Sequence, residues 1–335
     1  MRSQRQLRPF EVPLKKLFVF LLLLLPIAAI VGQRFTLVSS AVGEDAQAKI
    51  TLTSALVVVP VNVTDENGTF ISGLKAQNFK VFEDGRQQDV TLFKEEDTPV
   101  TVGLIVDHSF SMGPKLPAVA SAVDTFAHSS NPEDEMFVVD FNENVSVELM
   151  RGKPFTHDAV ALRQALYAVS ARGQTALYDA VIEGLTHVEL GQWDKRALII
   201  VSDGGDNASH AKFADLLIQA QRSHVVIYSI GLVDQGQEEE NPKVLKKLSK
   251  ATGGITFLTK QSDEAATFTR RIARDLREQY TLGYVPPLKK GPNSFRKIVV
   301  QMSSPAARKL RVRTRPGYFP TETKPQSVQA LGVPQ

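Results

Sequence analysis

Several carboxylate and hydroxyl side chains that follow apolar runs are the best candidates for chemistry in this sequence. Asp107, Ser109 and Ser111 occupy alternate positions, which places their three side chains on one side of a short segment. That segment leaves the apolar run at residues 100–106, which is typical of a buried strand. Carboxylate and hydroxyl oxygens, without nitrogen or sulfur, suit a hard cation such as Mg²⁺ or Ca²⁺.

Two further segments offer oxygen ligands of the same kind. Thr175 follows Gly173 on a loop that precedes a helical pattern, and Asp203 directly follows the apolar run at residues 197–201. In open α/β sheets, ligands bind in the crevice beyond the carboxyl ends of the strands. The sequence therefore predicts one divalent metal site that is formed by Asp107, Ser109, Ser111, Thr175 and Asp203.

The elements that must position these residues alternate between apolar strands and helices. Over residues 99–279 this alternation predicts an α/β domain with a doubly wound, mostly parallel sheet that is covered on both faces. Residues 55–98 and 280–320 are instead rich in short alternating strands, and each flank is too short to form a β-sandwich by itself. We therefore predict that the α/β domain is inserted in, or flanked by, one small β-sandwich to which both flanks contribute.

The amino terminus predicts export. Residues 1–32 combine basic residues with the apolar run 17–31, which has the length of a secretory signal, whereas a membrane span needs about 20 residues. We expect the protein in the periplasm, in the cell envelope or outside the cell. An uncleaved N-terminal anchor is the alternative, and it is the only membrane contact that we expect. Residues 33–54 are interpreted as a linker and residues 321–335 as a tail.

The spacing of the five candidate ligands resembles a known motif. A D-x-S-x-S segment, a threonine on a second loop and an aspartate in a Ser-Asp-Gly turn are similar to the metal-ion-dependent adhesion site of von Willebrand factor type A (VWA) and integrin I-type domains. The flank motifs Gly73-Leu74 and Glu83-Asp84-Gly85, together with residues 175–180, also resemble VWA-containing proteins of bacterial cell envelopes, particularly acidobacterial ones.

This resemblance implies a binding module rather than an enzyme. Ser109, Ser111 and Thr175 would offer hydroxyls to one divalent ion, while Asp107 and Asp203 would act mostly through bound water. Mg²⁺ is the expected ion, with Mn²⁺ or Ca²⁺ as alternatives, because Mg²⁺ retains water readily. An ion with so little anionic charge around it stays electrophilic. It would therefore accept an Asp or Glu carboxylate from a protein partner.

Two other classes of function compete with this interpretation. A metal-dependent hydrolase or phosphatase needs a general base near a metal-bound water, and both aspartates are better explained as holding the water shell of the ion. His108 lies inside the motif but is interpreted as a loop histidine that faces solvent. The third class is a metal-independent scaffold for envelope assembly.

Composition excludes several partners and sites. The absence of cysteine excludes disulfides and thiolate metal sites. A net charge of +3 does not indicate a nucleic-acid surface. The basic stretch at residues 308–315 alternates with other residues and is interpreted as a solvated strand face rather than a binding patch.

Overall fold

The computed structural model describes most of the chain after the N-terminal region. The described residues are 56–95, 97–148, 152–234, 240–286, 294–303 and 309–320. The expected export segment 1–32, the linker 33–54 and the tail 321–335 lie outside them. Within the described ranges, no helix has both the length and the apolar character that a membrane crossing requires.

The strands fall into three groups along the chain. The first flank contains β1 (Val57–Thr64), β2 (Phe79–Glu83), β3 (Arg86–Gln88) and β4 (Leu92–Lys94). The central region contains β5 (Thr101–Asp107), β6 (Glu135–Phe141), β7 (Val145–Glu148), β8 (Arg196–Ser202), β9 (Val226–Leu232) and β10 (Thr256–Thr259). The second flank contains β11 (Tyr280–Tyr284), β12 (Arg296–Met302), β13 (Arg311–Thr314) and β14 (Gly317–Tyr318).

The central strands form one sheet in the order β10-β9-β8-β5-β6-β7. All neighbouring pairs are parallel except β6 and β7, which are antiparallel. Only three residues separate β6 from β7, and so short a connection joins antiparallel strands, because a parallel pair needs a long crossover. Every residue of β5 is buried, which explains the apolar run from Val102 to Val106 within it.

Helices cover both faces of this sheet. They are α1 (Leu116–Ser129), α2 (Ala159–Ala168), α3 (Leu177–His187), α4 (Phe213–Arg222), α5 (Pro242–Thr252) and α6 (Ala265–Arg277). One apolar core lies between the sheet and α1, α2 and α6, and a second lies between the sheet and α3, α4 and α5. In α6, for example, Thr269, Ile272 and Leu276 are buried at helical spacing. The doubly wound α/β fold predicted from the sequence is confirmed.

Strands from the two flanks form a β-sandwich. Its sheets have the orders β13-β1-β11-β4 and β14-β12-β2-β3, so each sheet contains strands from before and after the α/β region. Strand β1 pairs with β11 and with β13, and β2 pairs with β12. The two sheets enclose a third apolar core that includes Val59, Val81 and Leu282. The polar strand β3 lacks apolar alternation, and the sequence did not predict it as a separate strand.

The interpretation of the basic stretch as a solvated strand face was wrong for Arg313 and Arg315, whereas Lys309 and Arg311 are exposed. The guanidinium of Arg313 contacts Asp275 of α6 at 2.5 Å, and the buried guanidinium of Arg315 donates to the carbonyls of Gln221 (2.6 Å) and Ser223 (3.0 Å). Buried arginines need partners of this kind. The stretch therefore joins the sandwich to the helices of the α/β region.

Candidate metal centre

The three candidate loops meet at one edge of the central sheet. Asp107 is the last residue of β5, and Asp203 directly follows β8. These strands are parallel neighbours, so their carboxyl ends lie side by side. Thr175 lies just before α3. The topology thus brings residues from three distant parts of the chain to the position where open α/β sheets bind ligands.

Hydrogen bonds connect four of the five candidate ligands. The hydroxyl of Ser111 donates to Asp203 Oδ2 at 2.7 Å and lies 3.2 Å from the hydroxyl of Ser109. The backbone N–H of Ser109 donates to Asp107 Oδ1 at 2.8 Å. The four oxygen-bearing side chains are therefore within direct reach of one another.

Thr175 joins the other residues through a shared cleft. Ser109, Ser111 and Thr175 all line an open cleft of about 1020 Å³ at the carboxyl edge of the sheet. Asp107 and Asp203 are buried and are not among the residues that line it, but each accepts a hydrogen bond from a residue that does. The two serines and Thr175 thus line the cleft, and the two carboxylates lie behind them in hydrogen-bond contact with the serines.

The electrostatics of this arrangement favour a cation. Burial raises the pKa of the Asp107 carboxyl to about 6, and the nearby carboxylate of Asp203 adds to the rise, against hydrogen bonds from Ser109 and Ser202. A positive ion beside two buried carboxylates would favour their ionised forms. The donors are all oxygens, as Mg²⁺, Mn²⁺ and Ca²⁺ require. The residues present therefore fit a hard divalent ion.

The donor set differs from a carboxylate-rich or histidine-rich metal site. In the described part of the chain, no group of three or more His, Cys, Asp or Glu side chains is arranged to hold a metal. The candidate set contains two carboxylates only, and its other donors are hydroxyls. An ion held here would keep much of its positive charge, because few anionic groups surround it.

Two positioning residues were not identified from the sequence. The hydroxyl of Ser202 donates to Asp107 Oδ2 at 2.6 Å and accepts the N–H of Gly204 at 3.0 Å. Asn207 brackets Thr175, because Asn207 Oδ1 accepts the N–H of Thr175 at 2.8 Å and the N–H of Asn207 donates to the Thr175 carbonyl at 3.0 Å. The Ser-Asp-Gly turn contained Ser202 but did not indicate its role, and no sequence signal pointed to Asn207.

The expectation that His108 faces solvent was wrong. Its side chain is 1% exposed. Its Nε2 lies 3.1 Å from the carbonyl oxygen of Leu166, and its Nδ1 lies 3.2 Å from Asp140 Oδ1. Alternation along the segment turns His108 away from the cleft and into the protein. It therefore contributes to packing behind the candidate site and does not contact the cleft that Ser109 and Ser111 line.

We expect Ser202→Ala to lower the free energy of unfolding by about 1–3 kcal/mol, because a buried carboxylate loses a hydrogen-bond donor. Urea unfolding of the two proteins measures this difference. The matched control is Ser129→Ala, which removes an exposed hydroxyl that bonds only the Thr125 carbonyl and should change stability by less than about 0.5 kcal/mol. Equal effects of both substitutions would show that the Ser202 hydroxyl does not support Asp107.

A family comparison covers the segment that holds the candidate site. Residues 102–205 match the family model of the von Willebrand factor type A domain. All five candidate ligands fall inside the matched segment. No curated protein matches the sequence significantly. The narrower resemblance to acidobacterial envelope proteins stays a prediction.

Parts of several solved structures align with this chain. A von Willebrand factor type A protein from Catenulispora acidiphila is 14% identical, with 76% of each chain covered and a TM-score of 0.49. The vWF domain of the type V pili tip protein Mfa5 from Porphyromonas gingivalis is 14% identical. The alignment covers 53% of this chain and 95% of the Mfa5 domain, with a TM-score of 0.41. An aerotolerance-related membrane protein from Bacteroides fragilis is 14% identical and covers 53% of this chain and 98% of its own (TM-score 0.43). At these identities the similarity concerns the fold alone.

Proposed function

Because the chain contains a von Willebrand factor type A domain, we propose that it is an exported binding module that captures an acidic group of a protein partner through one divalent metal ion. One observation carries this proposal: Ser109, Ser111 and Thr175 line one cleft, and the buried carboxylates of Asp107 and Asp203 accept hydrogen bonds from the two serines. The export that we propose rests on residues 1–32, which lie outside the described residues.

Each residue has a distinct role in this proposal. Ser109, Ser111 and Thr175 would hold the ion through neutral hydroxyls. Asp107 and Asp203 would hold the bound water and orient the serines through the hydrogen bonds described above. When bound, Mg²⁺, or alternatively Mn²⁺ or Ca²⁺, would supply an electrophilic centre at the cleft. A carboxylate from the partner would complete the arrangement, because the site itself contributes little negative charge to the ion.

The side chains around the cleft favour binding over hydrolysis. Its titratable lining residues are Lys115, Asp234 and Lys260. Asp234 lies 2.9 Å from the ammonium of Lys115, so its carboxylate is already engaged in an ion pair. Among the described residues, no histidine lines the cleft. We therefore propose that the protein is not an enzyme, and that a metal-dependent hydrolase and a metal-independent assembly scaffold are the alternatives to be tested.

The test is a selection from a phage-displayed library of random heptapeptides. The full chain is immobilised, washed in Mg²⁺ and eluted with EDTA. We expect the eluted peptides to be enriched in Asp or Glu. Binding that EDTA does not release would favour the metal-independent scaffold. A screen of phosphate and carboxylic esters with the Mg²⁺-loaded protein tests the hydrolase, and turnover that Asp107→Ala abolishes would contradict a binding-only role.

We expect Thr175→Ala to weaken the binding of an EDTA-eluted peptide by about 1–3 kcal/mol, the range for a lost hydrogen bond to a charged group. Binding of Mg²⁺ should largely survive, because Thr175 lies on a loop separate from the two serines. Calorimetry measures both affinities. The control is Thr186→Ala on α3, which removes an exposed hydroxyl bonded to the Ile182 carbonyl. Unchanged peptide affinity in Thr175→Ala would remove this residue from the proposed site.

A further inference from the structure

One large apolar side chain projects from the candidate site itself. Phe110 lies between Ser109 and Ser111, lines the same cleft, and is 81% exposed, the highest value among the large apolar residues that the structure describes. Its backbone is held, because its N–H donates to the Gly173 carbonyl at 3.2 Å and it begins the 3-10 turn Phe110–Lys115. An ordered backbone thus presents this aromatic ring to solvent beside the proposed ion.

The surface around Phe110 is also apolar on one side. Ala171 and Pro114 line the cleft together with Gly113. Gly113 also lines a second, smaller cavity of about 190 Å³, to which Tyr167, itself 65% exposed, contributes. A single exposed apolar residue is ordinary on a protein surface. Phe110 on the cleft and Tyr167 on the second cavity are both exposed, and Gly113 lines both cavities; we call these two aromatic side chains the aromatic rim.

Two lysines also line the cleft. Lys115 is nearly buried, and its ammonium contacts Asp234 at 2.9 Å and donates to the Leu232 carbonyl at 2.7 Å. Lys260 is exposed at the same cleft, and within the described residues it forms no ion pair. Among the described residues, the cleft therefore offers one ammonium without an ion pair, that of Lys260, in addition to the proposed ion. This charge complements an acidic ligand.

We propose that the partner of this cleft is an extended peptide segment in which an Asp or Glu stands next to a large apolar side chain. The carboxylate faces the ion site and Lys260, and the apolar side chain packs on the aromatic rim. This inference rests on the proposed function and narrows it from any acidic group to a composite acidic and apolar motif. Charge complementarity selects the acid, and the exposed ring of Phe110 selects its neighbour.

The expected contribution of the Phe110 ring to affinity follows from the apolar surface that a bound peptide would cover. Covering a phenylalanine side chain completely contributes about 1.5–3 kcal/mol, which corresponds to at least about a 10-fold change in affinity. We therefore expect Phe110→Ala to weaken the binding of a composite peptide by about 10-fold. Because Phe110 is exposed and its ring is not part of the described cores, the variant should fold normally and bind Mg²⁺ with unchanged affinity.

The experiment repeats the heptapeptide selection, with Mg²⁺ washing and EDTA elution, on three proteins. These are the wild type, Phe110→Ala and the control Leu190→Ala. Leu190 is 66% exposed and precedes β8, at the edge of the sheet opposite the cleft. We expect wild type and Leu190→Ala to enrich an acid with a large apolar neighbour, and Phe110→Ala to enrich the acid without that neighbour. Fluorescence polarisation with one enriched peptide should give the 10-fold loss for Phe110→Ala alone.

Each other outcome has a defined meaning. Acidic peptides without an apolar preference on all three proteins would overturn the composite motif and leave the proposed function standing. If EDTA releases no bound peptides from the wild-type protein, the proposed function itself is contradicted. Sedimentation tests whether a second copy of this chain occupies the aromatic rim. A wild-type oligomer that Phe110→Ala converts to a monomer would show such an occupant and overturn the peptide proposal.

Discussion

Replacing Asp107 by asparagine should abolish Mg²⁺ binding. We expect the affinity for Mg²⁺ to fall by more than about 100-fold, because the loss of a buried charge costs a few kcal/mol. Asp107 is the buried carboxylate that holds both the backbone of Ser109 and the hydroxyl of Ser202. Asparagine keeps one oxygen acceptor but removes the negative charge behind the ion. Wild type should gain about 1–3 kcal/mol of stability at saturating Mg²⁺ or Mn²⁺, and Asp107→Asn should gain none.

Calorimetry and thermal melting of chelator-treated protein measure these two effects. The apo variant should remain folded, since the raised pKa of Asp107 shows that burial disfavours its charge. The matched control is Asp124→Asn on α1, a partly exposed carboxylate that contacts Arg163 at 3.2 Å and does not line the cleft. No heat with either ion and wild-type protein would prove the site assignment wrong. Normal binding by Asp107→Asn would remove Asp107 from the ligand set.

The substitution Val59→Asp should unfold the β-sandwich, whereas Val58→Asp should be tolerated. Val59 is 0% exposed, pairs with Leu282 of β11, and points into the core that the two flanks share. Val58 is its neighbour on the same strand but points to the opposite face, where it is only half-buried. A buried, unpaired carboxylate costs several kcal/mol, a large part of the roughly 5–15 kcal/mol that stabilises a typical domain.

Circular dichroism melts and solubility after expression compare Val59→Asp with Val58→Asp. We expect the first protein to be insoluble, or to melt far below wild type, because the exposed edges of unpaired strands aggregate. The second should stay soluble and lose at most about 1–2 kcal/mol. Equal melting of the two variants would contradict a shared core between the first and second flanks.

The sequence predicted the fold class because its local patterns are strong. Strand β5 (Thr101–Asp107) differs from the predicted run 100–106 by one residue at each end. The agreement is close because burial on both faces favours a nearly continuous apolar sequence. The amphipathic spacing of α6 and the polar loops after β5 and β8 are equally local. The five candidate ligands follow from these junctions, and the structure brings them to one edge of the sheet. Whether they bind an ion stays a prediction.

The limits of the sequence lie where distant segments meet. The need for a sandwich followed from the size of the flanks, but the position of β1 between β13 and β11 depends on partners more than 200 residues away. The stretch with Arg313 looked solvated because its partners are distant in sequence. Arg313 contacts Asp275 in α6, and Arg315 donates to a carbonyl next to α4. No local pattern encodes these contacts.

The sequence by itself therefore determined the α/β alternation, the joint sandwich and the oxygen-rich loops, because periodicity and residue type are properties of neighbouring positions. Only the tertiary structure decided the direction of each side chain in those loops. It turned His108 inward, left Phe110 exposed at the cleft, and set Ser202 and Asn207 behind Asp107 and Thr175. The physical reason is that burial and hydrogen-bond partners arise from packing between elements that are remote in sequence, and such packing leaves no mark in the pattern of any single segment.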